Sequence, residues 1–231
     1  MITIASASDL LARRFGGRIM AGKHFEGGEC CVLELASALR GLPWTDDPYE
    51  VGTWDLRPLN DCEVDDATRT AGMLPVLVAY DGCRRWPPKR QAAVAARLAV
   101  LTVRRLVAEL PGLPPEIARR CRAAETVVEA RGAADAGACA IASHWDIADA
   151  DADAKHAAFV AAGAVFRDDA VAAQQAFRAA AAAFRAAGAP AAIAGARDAG
   201  ADPRKRVFAA ACELSLEAAA WSPKEDSHAT T

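Results

Sequence analysis

The segment that most constrains the fold is WPPKRQAAVAARLAVLTVRRLVAEL, residues 86–110. Two prolines open it, where a helix tolerates them, because the first backbone N–H groups have no intrahelical partner. Val94, Leu98, Leu101 and the Leu106/Leu110 pair then form a wide apolar stripe, with Arg97, Arg104 and Arg105 elsewhere around the cylinder. A helix of that length with one apolar face must bury the face against other elements. The rest of the chain supplies more of the same period and hardly any strand alternation.

Residues 8–20 read as a first helix capped by Ser8 or Asp9 and closed by Phe15-Gly16-Gly17. After Gly27-Gly28, Cys31, Leu35, Ala38 and Leu39 repeat at i, i+4, i+7 and i+8 up to Gly41. Thr45-Asp46-Asp47-Pro48 is a helix start, a capping side chain followed by proline in the first turn, and Gly52 and Pro58 keep that helix short. Asp65-Asp66 open a segment in which Met73–Val78 is almost wholly apolar. Pro75 argues against a central strand there, so a buried helix turning over at Asp81-Gly82 is expected. From Pro114-Pro115 the positions Ile117, Cys121, Ala124 and Val128 continue one helical face, and residues 133–147 add a helix of small residues.

An alanine-rich helix is expected over about 152–187, with Phe159/Phe166 and Phe177/Phe184 each seven apart, and a last helix over 203–221. The fold class is therefore all-α, a compact multi-helix bundle of about eight helices with a long Ala-rich C-terminal helix. Residues 1–187 read as the main domain, 188–221 as a C-terminal helix packed on it after a loose loop, and 222–231 as a disordered tail.

Composition narrows the class. With 231 residues, 53% hydrophobic and 25% charged, the chain has ample material for a core and falls outside the disordered class. A net charge of −3 provides no global attraction to nucleic acid or an acidic membrane. Asp9, Arg13, Arg14 and Arg18 interrupt any signal-peptide run, and no stretch is long and apolar enough to span a bilayer, so a cytoplasmic protein is expected. Seven cysteines at irregular spacing, with no C-x-x-C and no histidine at zinc-ligand spacing, read as reduced, buried thiols. Cross-linking between subunits is the alternative that the odd count permits. Arg84-Arg85, Arg104-Arg105 and Arg119-Arg120 read as solvated faces separated by acids.

The candidate site is a polar cluster in the N-terminal third: Cys31, Glu34, Asp46, Asn60 and Asp61, with Glu29 and Asp47 beside it. Carboxylates converging on a pocket could hold a divalent cation or do acid/base work. The competing reading makes them helix caps, since an aspartate before proline satisfies unpaired N–H groups and the helix dipole. In that version Glu34 accepts hydrogen bonds from the Trp44–Asp47 turn and Asp61 caps a neighbouring helix. Cys30-Cys31 in a first turn, with His24 near in sequence, raises a Cys–His nucleophile as a further possibility. Asp149, Asp151 and Asp153 have the spacing of a calcium loop, but Ala154 and Val160 stand where its glycine and glutamate belong. Nucleotide-binding glycine loops, G-x-S-x-G and H-E-x-x-H are all missing.

The order Cys31-x-x-Glu34, Gly41-Leu-Pro-Trp-Thr-Asp46-x-Pro48, Leu59-Asn60-Asp61 and MLPVLVAYDG resembles an uncharacterised family of helical proteins from high-GC bacteria, actinobacteria especially, and their phages. The resemblance covers roughly residues 28–110. It implies an all-α fold and a phage or mobile-element setting, and it carries no reaction. The family pattern has one cysteine where this chain has Cys30-Cys31.

The expected function is that of a non-enzymatic helical protein acting through protein–protein contacts as an assembly or accessory factor. Its partners would be other protein subunits in a homo-oligomer or larger assembly, cytoplasmic or virion-associated, with no nucleic acid, membrane, metal or cofactor. The alternative is an enzyme that binds a small molecule or divalent metal through Glu34, Asp46 and Asp61.

Overall fold

Asp66–Ala79 and Pro88–Arg105, two helices rich in Val and Leu, are the elements on which the others assemble. The computed structural model describes residues 1–22, 24, 26–109, 113–143 and 203–221. Among these it has nine α-helices and no strand: α1 Ile4–Arg14, α2 Val32–Leu39, α3 Pro48–Val51, α4 Arg57–Asn60, α5 Asp66–Ala79, α6 Pro88–Arg105, α7 Pro115–Ala123, α8 Val127–Ser143 and α9 Pro203–Ala220. Short 3-10 turns follow α5 at Cys83–Arg85 and α6 at Val107–Glu109. The fold is all-α, as the periodicity requires.

α9 packs on both α5 and α6, and α6 also packs on α7 and α8, while α2 rests on α1, α3, α4 and α5. One continuous core results. Met73, Val76 and Leu77 of α5, Val94, Leu98 and Leu101 of α6, and Phe208, Ala211 and Leu214 of α9 are all buried in it. Small side chains let α5 and α9 approach closely. Gly72 of α5 faces Phe208 and Cys212 of α9.

Most helix starts follow from local sequence. Asp47 caps α3, its carboxylate accepting the Tyr49 N–H at 2.7 Å with Pro48 in the first turn, and Gly52 closes that helix in the left-handed region. Asp65 caps α5 through the Thr68 N–H at 2.9 Å, and α5 runs through Pro75 to Ala79. Pro75 lies inside it, half-buried.

Three expected boundaries differ. The first helix starts at Ile4, because Thr3 and Ser6 cap it reciprocally: the Ser6 N–H donates to Thr3 Oγ1 and the Thr3 N–H to Ser6 Oγ, both at 3.1 Å. Ser8 and Asp9 sit inside it. The second helix starts at Val32, so Cys31 occupies the capping position and Cys30 precedes it.

The face drawn through Ile117, Cys121, Ala124 and Val128 is divided between two helices. α7 ends at Ala123, and Ala124 is extended. Thr126 and Glu129 then form a capping box, with the Thr126 N–H donating to Glu129 at 3.0 Å and the Glu129 N–H to Thr126 Oγ1 at 3.2 Å. That local start overrides the longer apolar period and leaves Val128 79% exposed. The helix expected over 133–147 accordingly begins earlier, at Val127, and is described to Ser143. The 152–187 segment, the 188–202 loop, the tail from 222 and the Asp149/Asp151/Asp153 run lie outside the described residues.

Candidate functional site

Four of the five candidate residues meet at the stretch that leads from α1 into α2. Glu34, in the first turn of α2, is fully buried. Its Oε1 accepts the His24 N–H at 2.7 Å, and its Oε2 accepts the Cys31 N–H at 2.7 Å and lies 3.0 Å from His24 Nδ1. The reach back to Cys31 is the capping geometry that a glutamate three residues into a helix allows. The contact to His24 replaces the expected one to the Trp44–Asp47 turn. That turn joins the network indirectly, through the Trp44 indole N–H, which donates to the His24 carbonyl oxygen at 2.8 Å.

Asn60 is fully buried at the end of α4. Its amide donates to the Met20 carbonyl at 2.9 Å and to Asp61 at 2.8 Å, while its oxygen accepts the Val32 N–H at 3.3 Å. Asp61 accepts the Gly22 N–H at 2.8 Å. It therefore binds the incoming backbone and caps no neighbouring helix; Asp65 performs that service for α5. The polar residues act as a clasp: Glu34, Asn60 and Asp61 bind Met20, Gly22 and His24 to α2 and α4.

Asp46 belongs elsewhere. It lies 3.6 Å from an Arg57 terminal nitrogen, and Arg57 grips Asp55 through two bonds of 2.8 and 2.9 Å. The Asp55 side chain beside Arg57, and Asp46 behind it, hold the Arg57 guanidinium above its usual range despite partial burial. These groups line a cavity of about 480 Å³ together with Asp47, Glu50 and Arg84. A larger cleft of about 680 Å³ opens beside Arg40, Asp81 and Arg85. There Arg40 is ion-paired with Asp81, which also accepts the Ile2 N–H at 2.8 Å. Burial would raise the Asp81 carboxyl, but the Ile2 N–H and the Arg40 guanidinium outweigh it and hold it below the usual carboxylate range.

The thiols of the clasp are poor nucleophiles. Burial and the Glu34 carboxylate push the Cys30 thiol up to about 12, and burial pushes Cys31 higher still. In a Cys–His nucleophile the imidazole sits between thiol and carboxylate. Here the carboxylate of Glu34 touches both the histidine and the Cys31 backbone. The arrangement favours the thiol form, the opposite of activation. Among the described residues, no group of three or more His, Cys, Asp or Glu side chains is placed to hold a metal ion.

Arg69 has no counterpart in the sequence reading. Buried on α5, it donates to the carbonyls of Asn60 at 2.7 Å, Cys62 at 3.1 Å and Val64 at 2.8 Å, and it pairs with Asp66. It fixes the turn that presents Asn60 and Asp61. Its only local signature is the aspartate three residues before it, a spacing too common to mark a role. His24 was visible only as a neighbour of the cysteines.

No family model, curated protein or solved structure matches this chain. No helix among the described residues is long and apolar enough to cross a membrane.

Proposed function

We propose that this protein is a non-enzymatic helical factor acting through protein–protein contacts, in assembly or as an accessory subunit. The observation that carries the reading is the use made of the acidic residues. Glu34, Asp47, Asp61 and Asp65 accept backbone N–H groups of their own chain at 2.7–2.9 Å, which leaves them to structure and not to a substrate. Groups that hold a fold in this way give it rigidity, the property that an interaction scaffold needs. The resemblance to helical proteins of high-GC bacteria and their phages favours a phage or mobile-element setting and a cytoplasmic or virion-associated partner.

Light scattering on the purified full chain across a concentration series, together with chemical cross-linking in host extract, tests the proposal. A mass above the monomer or a discrete cross-linked complex is expected. A monomer at every concentration that cross-links to nothing overturns it.

One observation favours a second reading, a ligand-binding domain: Asp46 and Asp55 line the 480 Å³ cavity with Arg57 and Arg84. Both guanidiniums there are already engaged, Arg57 by Asp55 and Arg84 by the Thr53 carbonyl at 2.6 Å, so a ligand would have to compete with them.

A further inference from the structure

The distribution of ion pairs over the surface is uneven. Arg13, Arg14, Arg40, Arg57, Arg69, Arg97, Arg105, Arg119, Arg122, Arg131, Arg204 and Lys205 each contact a carboxylate. Arg18, Arg120 and Arg206 stand outside this pattern singly, whereas at the start of α6 several neighbouring cations do so together. The sequence from Gly82 to Ala108 holds seven cations and no acid, so the separation by acids expected from the sequence fails over this stretch. Arg97 and Arg105 are compensated by Glu217 of α9. Among the described residues Arg84, Arg85, Lys89 and Arg90, and near the end of α6 Arg104, make no carboxylate contact, and the first four lie together where α6 begins.

Two of these four are held by groups that leave their charge intact. The Arg84 guanidinium lies 3.8 Å from the centre of the Tyr49 ring and donates to the Thr53 carbonyl, and that of Arg90 lies 4.2 Å from the centre of the Trp86 ring. Arg85, Lys89 and Arg90 are exposed. Pro87 and Pro88 stiffen the backbone between them, and α6 starts with neither a capping side chain nor an acid in its first turn. Its unpaired N–H groups therefore add positive potential to the same place.

We infer that the exposed cations Arg85, Lys89 and Arg90, backed by Arg84, form a docking surface for an acidic, carboxylate-rich segment of a partner protein. The inference rests on the reading that the chain works through protein contacts, and it names the chemistry of one partner. A nucleic acid fits the surface less well. Glu50 and Asp81 share the cleft with Arg85, Asp46, Asp47 and Asp55 share the neighbouring cavity with Arg84, and the whole chain carries −3. Those acids would repel a continuous phosphate backbone running along the surface, whose binding is the sum of many such electrostatic contacts. A short run of carboxylates can meet the four cations and stop.

The test is fluorescence anisotropy with a labelled oligoglutamate peptide and the full chain at about 0.15 M salt, where long-range attraction is largely screened. Arg85→Glu/Lys89→Glu/Arg90→Glu is compared with a control of equal charge change, Arg18→Glu/Arg120→Glu/Arg206→Glu, after circular dichroism shows both folded. The milder Arg85→Gln/Lys89→Gln/Arg90→Gln replaces the first variant if charge reversal prevents folding. The wild type and the control are expected to bind, and the patch variant to bind at least roughly tenfold more weakly. Absence of wild-type binding, equal loss in the control, or tighter binding of a single-stranded oligonucleotide overturns the inference. If the peptide fails while light scattering still shows assemblies, only the docking surface falls and the protein-contact reading stands.

Discussion

Gly72 and Phe208 bring α5 and α9 so close that a Cβ added to the glycine would lie 2.7 Å from Phe208 Cε1, with Cys212 Sγ at 2.8 Å. Alanine in a helix interior ordinarily gains about 0.5–1 kcal/mol over glycine. Here overpacking against a buried aromatic ring wins, so Gly72→Ala is expected to cost about 1–3 kcal/mol in chemical denaturation. Gly132→Ala in α8 is the control. Its Cβ would meet nothing nearer than an Arg120 nitrogen at 3.9 Å, so that variant gains the helical preference. Equal effects at the two positions would show that α5 and α9 are not packed this way.

The clasp makes Glu34 the most sensitive polar residue of the N-terminal third. Glu34→Ala leaves the buried Cys31 N–H and the His24 N–H without their acceptor, at a cost of about 3 kcal/mol. Glu34→Gln keeps one acceptor oxygen and loses less. Urea titrations of the two variants give the order; a Gln variant as damaged as the Ala variant would mean that shape, not hydrogen bonding, is what Glu34 contributes.

Across 135 residues of chain, the buried Tyr80 hydroxyl donates to the Ser215 carbonyl at 3.0 Å and ties α9 to the end of α5. Tyr80→Phe removes one hydrogen bond and is expected to cost about 1 kcal/mol. Amide exchange localises the loss: protection should fall in α9 more than in α2.

Thiol labelling reports on burial. Cys139 is exposed, whereas the other six cysteines are buried and the Cys30 thiol is pushed up to about 12. A maleimide at about pH 7–8 is expected to modify Cys139 first in the native protein and the rest only in denaturant. Rapid labelling of Cys30 or Cys31 in the native state would contradict the thiol chemistry of the clasp.

Asp81 sets a pH dependence. Its carboxyl is held below the usual range in the fold, so the stability it contributes is complete above the unfolded value, about 4, and is lost as pH falls through the folded value. Asp81→Asn should therefore be less stable than wild type at neutral pH and lose less on acidification below about pH 4. Parallel melting curves down to acid pH would remove Asp81 from the account.

The helical class, the Asp47-Pro48 and Asp65 starts and the stop at Gly52 were legible in the sequence, because caps and breakers act within one turn of chain. Apolar period alone misjudged residues 115–128: Thr126 and Glu129 start a helix within four residues, and such a local box outweighs a weak stripe. The candidate site was legible as a set of residue types but not as a geometry. Glu34, Asn60 and Asp61 do converge, yet on the backbone of Met20, Gly22 and His24, some 10–40 residues away in the chain.

Local rules, the spacing of apolar residues and the chemistry of caps, thus determined that this chain is helical and where many of its helices begin. Only the tertiary structure decided what the carboxylates outside the local helix caps do, since their role depends on which distant N–H or guanidinium long-range packing brings close. The same packing gave Asp46 to Arg57, Asp81 to Arg40 and Glu217 to α6, and left the cations of Arg84–Arg90 without an acid of their own among the described residues.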